Sequence, residues 1–68
     1  SEMCIRDRLI IESSFPGAQN YALYSILGEH VLSGSIQSGS TNINLATIPD
    51  GLYILKVRDQ SFKVVKRK

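Results

Sequence analysis

The sequence predicts an all-β fold, a thin antiparallel sandwich of about six short strands. Runs of branched and aromatic residues recur between turn residues, at a spacing near the roughly 8 to 12 residues typical of sandwiches and barrels. No stretch repeats apolar residues at i, i+3, i+4 and i+7 over three turns, as a helix would. With 68 residues the chain forms one domain at most, and its core will be thin.

The clearest turn signal is Ile48-Pro49-Asp50-Gly51. Proline presets its own φ and glycine accepts a positive φ, so this segment is predicted to reverse the chain between two strands. The predicted strands cover residues 9–13, 21–27, 30–36, 41–47, 52–57 and 62–66, and the other turn signals are Pro16-Gly17, Gly28-Glu29, the polar loop 37–40 and Arg58-Asp59-Gln60-Ser61.

Alternation of apolar and polar residues predicts which side chains face the core. In 41–47, Ile43 and Leu45 point one way while Asn42 and Asn44 point the other, so one face of this strand is wet. In the last strand, the same period places Phe62 and Val64 inward, with Lys63 and Val65 outward.

The strand 52–57 is apolar on both faces in its first half, which predicts a central position in a sheet. Its inward set is Tyr53, Leu55 and Val57. Tyr53 lies near the start of the strand, where a tyrosine can hydrogen-bond back across a sandwich corner. The opposite face carries Leu52, Ile54 and Lys56.

Composition excludes several classes of protein. A hydrophobic share of 43% with 21% charged residues is ordinary for a globular chain and does not indicate disorder. The apolar runs are far shorter than the roughly 20 residues of a membrane-spanning helix. A net charge of +2 is too small to indicate nucleic-acid binding.

The positive charge is nevertheless concentrated at the chain end. We call Lys63, Lys66, Arg67 and Lys68 the basic tip, since they crowd the last six positions. Lysines on an edge strand protect it from aggregation, which is one explanation of the tip. A contact with a partner is the other.

Residues 1–8, "SEMCIRDR", differ from the rest of the chain. They show no strand alternation and no turn signal, and they resemble the translation of a sequencing-adapter read. We predict that 1–8 is a non-native leader and that the domain is 9–68, preceded by a longer protein. The alternative is a genuine short charged leader.

Few residues offer chemistry. His30, the only histidine, has no orienting carboxylate in the predicted fold and is expected to be an exposed strand residue. Cys4 is the only cysteine, so neither an intramolecular disulfide nor a cysteine-rich metal site is predicted. We therefore predict no catalytic, metal or cofactor site, and no enzyme activity.

Several segments in order resemble the C-terminal sorting domain (type A) of proteins exported by the type IX, or Por, secretion system. The resemblance covers 9–68 and rests on motifs whose order and spacing are more specific than any single one. The matching residues are Leu23-Tyr24 and Gly28, then Ile43-Asn44-Leu45, then Gly51, Tyr53, Leu55 and Val57, and finally Lys63, Lys66 and Lys68. The Tyr-Pro-Asn-Pro stretch that usually opens the family is absent, because residues 1–8 stand there.

This resemblance implies a small Ig-like β-sandwich that acts as a non-catalytic address for an upstream cargo domain. It implies an outer-membrane translocon and a sortase-like peptidase as partners. It also implies transport through the periplasm of a Gram-negative bacterium to the cell surface or the medium. No cofactor, nucleic acid or membrane span is expected.

By the same resemblance, recognition is expected in the terminal hairpin, 51–68. An exposed edge strand with a basic end would suit β-augmentation or docking to an acidic surface. The predicted recognition residues are Gly51, Tyr53, Lys63, Lys66, Arg67 and Lys68, and the predicted structural residues are Gly28, Pro49, Asp50, Leu55 and Val57.

A second hypothesis is a carbohydrate-binding or adhesion sandwich of a surface protein. Tyr21 and Tyr24 could stack on sugars, although core or half-core positions are the simpler expectation for strand tyrosines.

Overall fold

The computed structural model describes residues 2–67, which form strands and turns and contain no helix. The prediction of an all-β sandwich is therefore confirmed. Since these residues form no helix, none of sufficient length and hydropathy to span a membrane occurs among them. The strands are β1 (Glu2–Ile5), β2 (Arg8–Ser13), β3 (Gln19–Ser25), β4 (His30–Ile36), β5 (Gly39–Asn44), β6 (Gly51–Val57) and β7 (Gln60–Lys66).

Two sheets make up the sandwich. The larger has the order β1-β7-β6-β3-β4, and the smaller pairs β2 with β5. All neighbours are antiparallel except β1 and β7, which run parallel. The order β7-β6-β3-β4 opposite β2-β5 corresponds to the G-F-C-C′ and B-E strands of an immunoglobulin domain. As predicted, β6 is central, because β7 and β3 flank it.

The core lies between the two sheets and follows the predicted alternation. Leu45 and Val64 have no exposed surface, and the wet face of β5 carries Asn42 and Asn44. Burying each such aliphatic side chain stabilises the fold by about 1.5–3 kcal/mol. The core cluster contains Leu9, Leu23, Ile43, Leu45, Ile48, Tyr53, Leu55 and Val64.

Five predicted strand boundaries are wrong by two or three residues. β3 begins at Gln19 and β7 at Gln60, each two residues earlier than predicted. β3 ends at Ser25, and Ile26 and Leu27 are exposed in the turn before Gly28. β5 begins at Gly39, inside the predicted loop 37–40, because pairing with β2 continues to Ser13. β5 also ends earlier than predicted, so Leu45 is buried from a turn rather than from a strand.

The turn before β6 also starts earlier than Ile48. The amide of Ile48 donates a hydrogen bond to the carbonyl of Leu45, at 3.3 Å. This bond closes the tight turn over 45–48, and Pro49 and Asp50 then lead into β6. The proline and glycine signals identified the region of the turn but placed its centre too late.

A seventh strand forms in the predicted leader, where no strand was expected. β1 lies beside the outer edge of β7, with Met3 opposite Val64 and Ile5 opposite Lys66. Met3 and Ile5 are half-buried against the core cluster. The strand count of about six is therefore corrected to seven for residues 2–67.

Candidate functional site

The terminal hairpin consists of β6 and β7 and has a two-residue loop. Val57 pairs with Gln60, which leaves Arg58 and Asp59 to turn the chain. Arg58 has a φ of 59°, a conformation that residues other than glycine seldom adopt. Two-residue hairpin loops favour positive φ because it matches the twist of the strands. The predicted last tight connection is confirmed in place but is shorter than 58–61, because Gln60 and Ser61 already belong to β7.

The basic tip is divided between two faces of β7. Lys63 and Arg67 are exposed, but Lys66 is only 8% exposed. Alternation explains the difference, because Lys66 shares its face with the buried Val64. Lys68 lies outside the described residues. The expectation that Lys66 belongs to an exposed basic tip is therefore wrong.

Lys66 holds the turn that precedes β6. Its Nζ donates a short hydrogen bond to the carbonyl of Ile48 and a longer one, at 3.5 Å, to the carbonyl of Ala46. An ion pair joins it to Asp50, with Nζ and Oδ1 3.9 Å apart. Because the Asp50 side chain is 45% exposed, the carbonyl contacts contribute more than the ion pair. Lys66 therefore connects the last strand to a turn that lies 18 to 20 residues earlier in the chain.

Tyr53 holds the same turn from β6. Its ring is buried in the core, and its hydroxyl donates a hydrogen bond of 2.6 Å to the carbonyl of Pro49. This is the corner contact that the sequence predicted, and it occupies the place of the tyrosine corner at the start of strand F in immunoglobulin domains. We call Pro49, Asp50, Tyr53 and Lys66 the turn lock, since they join one turn to both strands of the terminal hairpin.

The other predicted structural residues have separate places. Gly28 has a φ of 88° in the β3–β4 turn, and its amide donates to the carbonyl of Ser25. Leu55 is buried at the centre of the large sheet, and Val57 is half-buried against the core. Gly51 is exposed at the first position of β6.

β7 is not an edge strand among the described residues. β1 covers its outer edge through residues 63–66, and the amide of Arg67 donates to the carbonyl of Ile5 at 3.0 Å. The expectation of an exposed terminal edge strand is therefore wrong for this structure. The large sheet instead has its edges at β1 and β4.

The tyrosines of β3 face opposite sides of the large sheet. Tyr21 packs against the core, and its ring passes so close to Gly34 that a Cβ there would lie 2.9 Å from it. Tyr24 is on the outer face, where its ring lies edge-on to the exposed His30 at a centroid distance of 5.9 Å. Half-buried positions were the simpler expectation for both, and that expectation is confirmed.

A groove of about 450 Å³ opens between the sheets beside the hairpin loop. It exists because two strands cover only part of a five-stranded sheet. Its walls are mainly apolar, and at its rim the Arg58 guanidinium lies 4.3 Å from the centroid of the Phe15 ring. The described residues contain no group of three or more metal-ligating side chains, in the groove or elsewhere.

A comparison with family models decides the family. The model for the secretion system C-terminal sorting domain matches residues 5–68. The chain belongs to this family. A domain of this family is a C-terminal sorting signal for type IX secretion, and the family is non-catalytic. The chain has no significant match among the curated proteins or the solved structures.

Membership in the sorting-domain family agrees with the resemblance in sequence, and it implies a cargo in cis and a destination at the cell surface or outside the cell. The matched range begins at Ile5, so it includes the last four residues of the predicted leader. The boundary at Leu9 stays a prediction, as do the roles of individual recognition residues.

Proposed function

We propose that this domain directs an upstream cargo through the outer-membrane translocon of the type IX system, after the cargo has reached the periplasm of a Gram-negative bacterium. A sortase-like peptidase then removes the domain. The observation that supports this proposal is the family match across six of the seven strands, from β2 to the basic tip.

The structure supports a signal that is read as a folded surface. Gly51, Tyr53 and Lys66 lie within or beside the turn lock, so these three residues act by shaping the hairpin. Lys63 and Arg67 are exposed and available for contact with a complementary acidic surface. We therefore divide the recognition residues into those that form the surface and those that touch the partner.

A reporter fusion tests the proposal. The full 68-residue chain is attached behind a fluorescent protein that carries its own periplasmic export signal, in strains with and without the type IX system. We expect fluorescence at the surface or in the medium only when the system is present. Periplasmic retention in the competent strain would contradict the proposal.

The same assay tests the predicted domain boundary. A fusion that begins at Leu9 lacks β1 and leaves the outer edge of β7 open. If 1–8 is a non-native leader, this shorter fusion is exported as well as the full chain. Export that requires residues 1–8 would show that they belong to the domain.

Removal by a peptidase is tested on the exported product. We expect the reporter in the medium to be smaller than the periplasmic precursor by about the mass of the domain, which is 7.5 kDa for the full chain. Intact fusion in the medium would contradict this part of the proposal and leave the sorting function standing.

The carbohydrate-binding alternative gains no support from Tyr21, because its ring packs inward over Gly34. Tyr24 is half-buried on the outer face, with the Lys56 Nζ 5.6 Å from its ring centroid. Binding to a glycan array that is lost in Tyr24→Ala would favour this alternative.

A further inference from the structure

The outer face of the large sheet is more apolar than is usual for a sheet face in contact with water. An antiparallel sheet with one face in water normally alternates apolar residues inward and polar residues outward. The outward positions of β6 and β7 instead include Leu52, Ile54 and Val65, all half-buried. Leu52 lies directly opposite Val65 across the two strands.

The neighbouring strand extends this apolar surface. Tyr24 of β3 lies opposite Ile54, and Ile54 lies opposite Lys63 of β7. Ala22, two positions before Tyr24, lies opposite Lys56. We define the outer sheet face as Ala22, Tyr24, Leu52, Ile54, Lys56, Lys63 and Val65.

The charges of this surface have one sign. Lys56 and Lys63 are exposed at its borders, and β3, β4, β6 and β7 contain no acidic residue. On the neighbouring β1, Glu2 pairs in register with Lys63, so the acidic residue nearest in register lies outside the surface defined above. The Lys56 ammonium group lies over the Tyr24 ring, so its alkyl chain extends the apolar surface while its charge is available at the rim.

The small sheet provides an internal comparison. Its outward positions are polar at Asn42, Asn44 and Glu12, and the apolar exception is Ile10, which is 62% exposed. The two outer faces of one sandwich therefore differ, and the apolar one is also the basic one. Preference of β-branched residues for strands would act on both sheets alike and does not explain the difference.

We propose that the outer sheet face is the surface by which the domain docks on a translocon protein, and that the partner presents an apolar strip bordered by carboxylates. Charge complementarity argues for this partner, because two lysines border the strip and acidic residues are missing from it. The inference rests on the proposed sorting function and names the surface of the domain that the translocon recognises.

Photo-crosslinking in the exporting strain tests the contact. A photoreactive phenylalanine analogue replaces Ile54 in the full reporter fusion, and the same analogue replaces Ile10 as the matched control on the other sheet. We expect residue 54, and not residue 10, to crosslink to a translocon protein with acidic surface residues. Crosslinks from residue 54 only to the cargo, only to a second copy of the fusion, or to nothing would overturn the proposal.

Substitutions test whether the contact matters for export. We expect Ile54→Thr with Val65→Thr, and separately Lys56→Glu with Lys63→Glu, to lose export while the purified domains keep their circular dichroism spectra. Threonine retains strand preference, which protects the fold. The matched controls are Ile10→Thr for the apolar change and Arg6→Glu with Arg8→Glu for the same change in net charge, and both should be exported.

The outcomes separate the two proposals. If the unchanged fusion is not exported, the sorting function itself fails. If it is exported and both outer-face double variants are exported equally well, the outer sheet face is not the docking surface, although the sorting function holds. If the double variants are unfolded, the crosslinks from residues 54 and 10 in the otherwise unchanged fusion decide the question.

Discussion

Lys63 and Lys66 stand three positions apart on one strand, yet they lie in opposite environments. Lys63 is exposed on the outer sheet face, whereas Lys66 is buried and donates to the carbonyls of Ala46 and Ile48. In the sequence the two belong to one basic cluster. The comparison teaches that a run of like charges on a strand is divided by the pleat, so that part of it serves folding and part serves recognition.

The largest expected effect comes from reversing the charge of the buried lysine. Lys66→Glu would place a carboxylate against carbonyl oxygens, and we expect it to lower the free energy of unfolding by about 3 kcal/mol or more. Small domains have only about 5 kcal/mol in total, so this change would remove more than half of the stability. Urea unfolding of the full chain, followed by far-ultraviolet circular dichroism, measures this change.

Lys63→Glu is the matched control for Lys66→Glu, since it makes the same charge change on the same strand. Because Lys63 is exposed, we expect its effect on unfolding to stay within about 0.5 kcal/mol. Equal effects of the two variants would show that Lys66 is not held by the turn. A combined reversal of Lys66, Arg67 and Lys68 is therefore a poor test of recognition, since it would also damage the turn lock.

A milder substitution tests the turn lock without changing any charge. Tyr53→Phe keeps the buried ring and removes only the hydroxyl that donates to Pro49. A hydrogen bond of this kind contributes about 1 kcal/mol, and leaving the carbonyl unpaired can cost somewhat more. We expect a loss of about 1 kcal/mol in the same urea experiment.

Tyr24→Phe is the control for the hydroxyl deletion, because the Tyr24 hydroxyl makes no hydrogen bond to the described residues. We expect no measurable change in its unfolding midpoint. If Tyr24→Phe were as destabilising as Tyr53→Phe, the loss would reflect a general effect of removing a tyrosine hydroxyl and not the corner contact.

Local periodicity was sufficient to predict much of this fold. The alternation in β5 and β6 identified Ile43, Leu45, Tyr53 and Leu55 as core residues. The position of Tyr53 near a strand start predicted its corner hydrogen bond. These features depend on residues that are close in the sequence. The pattern within one strand and its adjoining turn is therefore sufficient to predict them.

The features that sequence reasoning missed depend on distant segments. Lys66 has the same parity as Val64, which is the signal that could have revealed its inward direction. Its partners come from a turn some 20 residues away, and a lysine without known acceptors is normally assigned to the surface. β1 was missed for the same reason, because only the edge of β7 makes a strand of so short a segment.

The recognition residues could be selected from the sequence only as a set. The resemblance predicted the same recognition role for Gly51, Tyr53 and the basic tip, because a family motif does not show which of its residues face a partner. Burial divides them, and it also draws attention to Ile54 and Val65, which no motif contained. The outward apolar residues of β6 were visible in the sequence. They could be interpreted only once it was known that the small sheet covers the opposite face of β6 and leaves them uncovered.

The smallest expected effect on stability comes from substitution of two exposed residues. The same two substitutions also test directly whether the outer sheet face contacts the partner. Lys63 lies on the outer sheet face beside Ile54, whereas Arg67 follows the end of β7. Single reversals, Lys63→Glu and Arg67→Glu, should each leave the free energy of unfolding within about 0.5 kcal/mol of the unchanged domain. Any difference in export between them therefore reports on contact and not on folding.

We expect Lys63→Glu to reduce export more than Arg67→Glu in the reporter fusion. A partner with carboxylates around an apolar strip would contact Lys63 at the border of that strip. Docking excludes water from the apolar surface there, so a charge pair is less screened. Arg67 lies beyond the strand, where solvent weakens the same attraction. The opposite ranking would mean that the translocon reads the end of the chain, and that the apolar outer face has another occupant.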